Sequence, residues 1–244
     1  MSTTARPRHR VLTAVLVTVA LVGAGVVAVA VLGFCSAFGC TLFSEDFEPQ
    51  GREATTARAP ATTAVAQLAD RVVAGHEVLA DATADGCASG QNNWKRKDSY
   101  SHECSVVDSR VVLVTTDREA VADGLTAADA VLRELGCAPA SPRGGLDRVR
   151  EEYWTADNPQ VVRYGAAGLP SATYTCAGEV SVLVEPTSDR EDSTEPDIAL
   201  ASAFFDDELS RDWYTAEDLT TLRRSGAALA LVVTVRDQYY STRF

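Results

Sequence analysis

Val11 to Phe34 is a run of 24 residues without a charge, VLTAVLVTVALVGAGVVAVAVLGF. As a helix rising ~1.5 Å per residue it reaches roughly 36 Å, enough to cross a hydrocarbon core of about 30 Å. Its polar side chains, Thr13 and Thr18, are hydroxyls that can bond back to helix carbonyls. Arg6, Arg8 and Arg10 precede the run, and Glu45, Asp46 and Glu48 come before the next cation, Arg52. The positive-inside rule then places the N-terminus in the cytoplasm and the rest outside. Ala28-Val29-Ala30 imitates a signal-peptidase exit, but the run exceeds the apolar stretch of about 7–15 residues in a cleaved signal. Lipoprotein processing at Cys35 or Cys40 fits less well, because Phe34 precedes the first and Ala37 stands where Leu is wanted before the second.

Gly23-Ala24-Gly25-Val26-Val27-Ala28 matches a dinucleotide fingerprint. That motif needs a preceding strand and a soluble pyrophosphate, and a bilayer span offers neither. Ala20, Ala24 and Ala28 instead form a small-residue ridge through which two spans could pair as a homodimer.

Residues 35–62 are polar, carry Pro49, Gly51 and Pro60, and read as a flexible tether. Residues 63–244 then form one extracytoplasmic domain. Val65, Leu68, Val72, His76 and Leu79 recur at helical spacing, which predicts a helix over 63–84 that stops at Asp85-Gly86. Thr116-Asp117-Arg118-Glu119 has the form of a capping box, followed by Val121, Leu125, Ala128, Leu132 and Leu135. A third helix is expected over 215–225, ending at Gly226.

Strand patterns fill the intervals: 105–115, 149–154 and 161–164 about an Asp157-Asn158-Pro159 turn, 173–185, and 227–235. The last places Leu229, Leu231, Val233 and Val235 on one face and Ala228, Ala230 and Val232 on the other, which marks a strand covered on both sides. Residues 196–212 fit either period, with helix preferred. The expected fold class is α+β, with one N-terminal transmembrane helix and an exported domain whose helices pack on one face of a mostly antiparallel sheet.

The cysteines are Cys35, Cys40, Cys87, Cys104, Cys137 and Cys176. On the oxidising side disulfides persist. Cys87 and Cys137 each follow an expected helix end, and Cys104 and Cys176 each lie in or beside a strand downstream, which favours the pairs Cys87–Cys104 and Cys137–Cys176 over the other connectivities. Cys35 and Cys40 either pair with each other or stay free. No C-x-x-C occurs, so zinc-ribbon and thioredoxin-like spacings are missing.

The net charge is -12, and all 34 Asp and Glu lie after residue 44. Charge-driven nucleic-acid binding is therefore excluded. His76 reads as a structural histidine on an apolar helix face. A His102–Cys104 nucleophilic pair would need a free thiolate. Asp81-x-Thr83-x-Asp85-Gly86 opens like a calcium loop but reaches Asn92 where a Glu is required. The acidic runs read as solvated surface, no hydrolase or nucleotide motif follows the span, and no cofactor or metal is implied.

One patch departs from the rest. Asn92-Asn93-Trp94-Lys95-Arg96-Lys97 holds both lysines of the chain beside a tryptophan. Trp94, Lys95, Arg96 and Lys97 form the candidate contact for an envelope protein or an anionic polymer. The leading functional expectation is a membrane-anchored, non-enzymatic binding or scaffolding module of the cell envelope. The alternatives are a membrane-linked sensor or regulator, and an exported hydrolase whose carboxylates the sequence does not single out.

Overall fold

The structure, a computed structural model, describes residues 51–91, 97–142, 144–189, 207–212 and 214–242. The expected membrane span at 11–34, its Ala20, Ala24 and Ala28 ridge, and Cys35 and Cys40 lie outside these residues. Among the described residues no helix is long and apolar enough to cross a membrane.

Five α-helices and seven strands are described: α1 (Arg52–Val72), β1 (Glu77–Ser89), β2 (His102–Thr115), α2 (Val121–Glu134), β3 (Ala138–Pro139), α3 (Leu146–Tyr153), α4 (Pro159–Tyr164), β4 (Ala172–Thr175), β5 (Ser181–Thr187), β6 (Asp207–Asp212), α5 (Ala216–Arg224) and β7 (Leu229–Thr242). The strands form one sheet in the order β3-β4-β5-β7-β2-β1-β6. Every pair is antiparallel. The α+β class and the antiparallel sheet follow the expectation.

β7 lies at the centre because its side chains are apolar in both directions. Leu229, Leu231, Val233 and Val235 enter one buried cluster with Val65 and Ala69 of α1, Leu125 and Leu132 of α2, Leu146 and Val149 of α3, and Val161 of α4. Ala230 and Val232 enter the opposite cluster with Ala80, Ala82 and Ala84 of β1, Leu222 of α5, and Tyr214 just before that helix. Alternation along a strand sends successive residues to opposite faces, so α5 covers the side that α1 does not. The expected arrangement with helices on one face alone is thus corrected: helices pack on both.

Several element boundaries differ from the periodic reading. The expected helix over 63–84 is the end of α1, a turn with Gly75 at φ +84°, and most of β1. Alanine fits both periods, and ladder pairing with β2 decides the strand, since tertiary context overrides propensity. His76 is therefore exposed in the turn, not on an apolar helix face. The tether expected through residue 62 is already helical from Arg52, across Pro60. Asp81–Gly86, read as a loop opening, lies within β1.

Residues 149–154 and 161–164, expected as strands, belong mainly to α3 and α4. Leu146 and Val149 of α3 are buried at i,i+3 spacing. Arg148 pairs with Glu151 and Glu152, and Arg150 with Asp147, at helical separations. Asn158 is an N-cap, its side chain accepting from the Gln160 N–H with Pro159 at the first helical position. The strand expected over 173–185 breaks at Gly178, φ +76°, into β4 and β5. Residues 207–212, preferred as helix, are strand β6 on the edge beside β1. Residues 190–206 lie outside the described set. The capping box expected at Thr116 does not form: Asp117 Oδ1 takes the Glu119 N–H at 2.9 Å, and α2 starts at Val121 without a side-chain cap.

Candidate functional site

Both expected disulfides are present. Cys87 and Cys104 face each other across the β1–β2 ladder with Cα atoms 4.0 Å apart. Cys137 and Cys176, also 4.0 Å apart, occupy the rung next to Ala138 and Thr175. Cys87 reaches its partner from within a strand and not from beyond a helix end. Cys104 is thereby oxidised and offers no thiolate to His102.

The chain between the paired strands closes on itself. The Gly90 N–H donates to the Ser101 carbonyl at 2.7 Å, and the Asp98 N–H to the Gln91 carbonyl at 2.8 Å. The Gln91 N–H donates to Asp98 Oδ2 at 2.7 Å. Gly90 is required there, since a Cβ would lie 2.0 Å from the Tyr100 carbonyl oxygen. Lys97 is exposed. Trp94, Lys95 and Arg96 lie outside the described residues.

A row of charged groups sits under α1, on strands otherwise rich in Ala and Val. Asp85 of β1, Val106 of β2 and Asp237 of β7 are aligned across the sheet. Arg58 of α1 lies 3.0 Å from Asp85 Oδ2. Its Nε also donates to the Tyr239 hydroxyl at 3.2 Å, and that hydroxyl donates to Asp85 Oδ1 at 2.8 Å. The Arg58 guanidinium stands 5.8 Å from the Tyr239 ring centroid. Burial pushes the Tyr239 phenol up to about 12, with Arg58 opposing and Asp85 adding. Further along, Arg110 of β2 donates to Asp108 at 3.0 Å and to Asp70 of α1 at 2.5 Å. The Asp108 hydrogen bond, then that of Asp70, holds the Arg110 guanidinium above its usual range against the pull of burial. Burial raises the Asp237 carboxyl above the ordinary aspartate value.

Two further knots lie elsewhere in the same body. On the α5 side, Tyr214 donates to Ser109 Oγ at 3.0 Å, and Ser109 and Thr234 hydroxyls are 2.8 Å apart. Burial raises the Tyr214 phenol. Within α2, Asp129 is 4% exposed. Tyr174 donates to its Oδ1 at 2.5 Å and Arg133 to its Oδ2 at 2.5 Å. The Leu146 N–H in turn donates to the Tyr174 hydroxyl at 2.7 Å. Burial alone would raise the Asp129 carboxyl, but the bonds from Arg133 and Tyr174 together hold it below the usual range.

These polar groups cross-link elements: α1 to the sheet, β2 to β7, and α2 to α3 and β4. Among the described residues no group of three or more His, Cys, Asp or Glu could hold a metal ion. The Arg58–Asp85–Tyr239 and Asp70–Arg110–Asp108 clusters were not singled out from sequence. The signal available was that Asp85 and Asp108 each follow an apolar residue, Ala84 and Val107, inside a strand, where a covered aspartate must find a partner. No family model, curated protein or solved structure matches the chain.

Proposed function

We propose that the chain is a single-pass, membrane-anchored protein of the cell envelope, held by residues 11–34 with its α+β domain outside the cytoplasm, and that the domain binds or scaffolds a partner without chemistry of its own. The observation that carries the reading is the pair of disulfides, Cys87–Cys104 and Cys137–Cys176, whose persistence calls for an oxidising compartment. The uncharged run from Val11 to Phe34, with arginines before it and acids after it, supplies the means of reaching that compartment. The acidic charge after residue 44 is repelled by an anionic bilayer surface, so the domain stands off the membrane. Trp94, Lys95, Arg96 and Lys97 are the local basic exception and the contact proposed for an acidic envelope protein or anionic polymer.

Carbonate extraction of membranes tests the anchor: the full chain stays in the pellet, and a soluble product beginning near Val31 would remove the anchor from the reading. Crosslinking from the exported domain in living cells tests the contact. Trp94→Ala combined with Lys95→Ala is expected to abolish the crosslinked species, and unchanged crosslinks would deny the basic patch its role.

A further inference from the structure

Helix α1 is fastened differently along its two halves. From Ala61 onward it is held by apolar packing: Ala61, Val65, Ala69 and the following Val73 belong to the core, with Leu68 and Val72 packed against it. In residues 52–60, Ala54 is the one buried side chain. This half reaches the sheet with the charged Arg58, which meets Asp85 and Tyr239.

The boundary between the halves is Pro60. Proline has no N–H, so the helical bond to the Thr56 carbonyl is missing, and its ring crowds that carbonyl. Three threonine hydroxyls around this point bond back to the helix, Thr56 to the Arg52 carbonyl, Thr62 to the Arg58 carbonyl and Thr63 to the Ala59 carbonyl. Such back-bonding weakens a helix slightly and favours a bend. A helix interrupted by proline and short of apolar contacts persists only while its tertiary contacts do.

We propose that residues 52–59 form a latch, hinged at Pro60 and fastened by Arg58 to Asp85 and Tyr239, which peels from the sheet while the rest of α1 stays packed. Opening uncovers the Tyr239 ring and the Asp85 carboxylate, the latter in the row with Val106 and Asp237. It also turns two helical turns into extended chain between the proposed anchor and the domain. At about 3.3 Å per extended residue against 1.5 Å in a helix, eight residues lengthen that connection by roughly 14 Å. The latch rests on the contacts of α1 and does not require the membrane reading to be right.

Hydrogen exchange of the full-length protein tests it. Amides 55–59 are expected to exchange about 10-fold faster than amides 66–72, because their opening frees one buried alanine, Ala54, and leaves the main core cluster intact. Arg58→Ala should speed residues 55–59 by a further factor of at least about 10 and leave residues 66–72 and β7 unchanged, the effect of losing the contacts to Asp85 and Tyr239. Should Arg58→Ala fail to fold, Tyr239→Phe keeps the ring, removes the hydroxyl, and is read in the same way. Pro60→Ala should slow exchange at 55–59 by restoring the missing bond. Equal protection of both halves in the wild type, or a variant that accelerates both halves together, would overturn the latch, and an unchanged Pro60→Ala would overturn the hinge.

Discussion

Asp129 and Asp237 are both aspartates within one folded body, and the fold pushes their carboxyls in opposite directions. Asp129 is held low by Arg133 and Tyr174 in spite of its burial. Its stabilising contribution is therefore complete above the ordinary aspartate range of about 3.9 and declines as pH falls through the depressed folded value. Asp129→Asn should cost about 1–3 kcal/mol at pH 7. Thermal melts of the two proteins should show the same gap at pH 7 and pH 5 and a narrower one near pH 3. Asp237 is raised by burial, so its favourable contribution is present below its unfolded value and is lost as pH rises through its folded one. Asp237→Asn should raise the melting temperature at pH 7 and have little effect near pH 3; an unchanged or lower melting temperature at pH 7 would show that the ionised group is compensated. Neither role was legible in the sequence, because a carboxylate's environment depends on which strand face a helix covers. The cysteine partners were legible, since two close sequence-local pairs recur in the same helix-to-strand order, even though Cys87 turned out to sit in a strand.

At the scale of elements, local chemistry decides most where it satisfies the first N–H groups of a helix. Thr215 Oγ1 accepts from the Asp218 N–H, and Asp218 Oδ2 accepts from the Thr215 N–H at 2.7 Å, closing a capping box on α5. Thr215→Ala should cost about 1 kcal/mol, seen as a lower urea midpoint with an unchanged slope. This helix and its stop at Gly226, φ +68°, were readable in advance from its apolar positions and glycine, and the cap agrees with them. The 63–84 region misled because its alanines satisfy both periods, and Gly75 was the overlooked break. Residues 149–164 misled for another reason. Valine and tyrosine suggested strands, while Leu146 and Val149 at i,i+3 and the Arg–Glu pairs of α3 carried the helical signal. The β6 edge shows how strongly pairing can overrule pattern, since residues 207–212 take their conformation from β1.

For the whole molecule, each disulfide lies within one flank of the sheet. Cys87–Cys104 joins β1 to β2, and Cys137–Cys176 joins the entry of β3 to the exit of β4. Loop separations of 17 and 39 residues correspond to stabilisation of about 3 and 4 kcal/mol on the chain-entropy model. Replacing both cysteines of a pair by alanine should lower the unfolding free energy by amounts of that order, with the larger loss for Cys137 and Cys176. Equal urea midpoints for wild type and either variant would show that the bridges do not limit the unfolded chain.

The position of β7 sets an order in time. Among the described residues it is the one strand joining β3-β4-β5 to β2-β1-β6, and in the chain it follows the other described strands. A ribosome or a translocation channel therefore delivers the strands of both halves before the strand that unites them. Until β7 arrives, the facing sides of β5 and β2 are open valine-rich edges, the kind of surface on which chains pair wrongly. The interval before β7 pairs is the one in which those two edges stand open, and in it wrong pairing competes with folding.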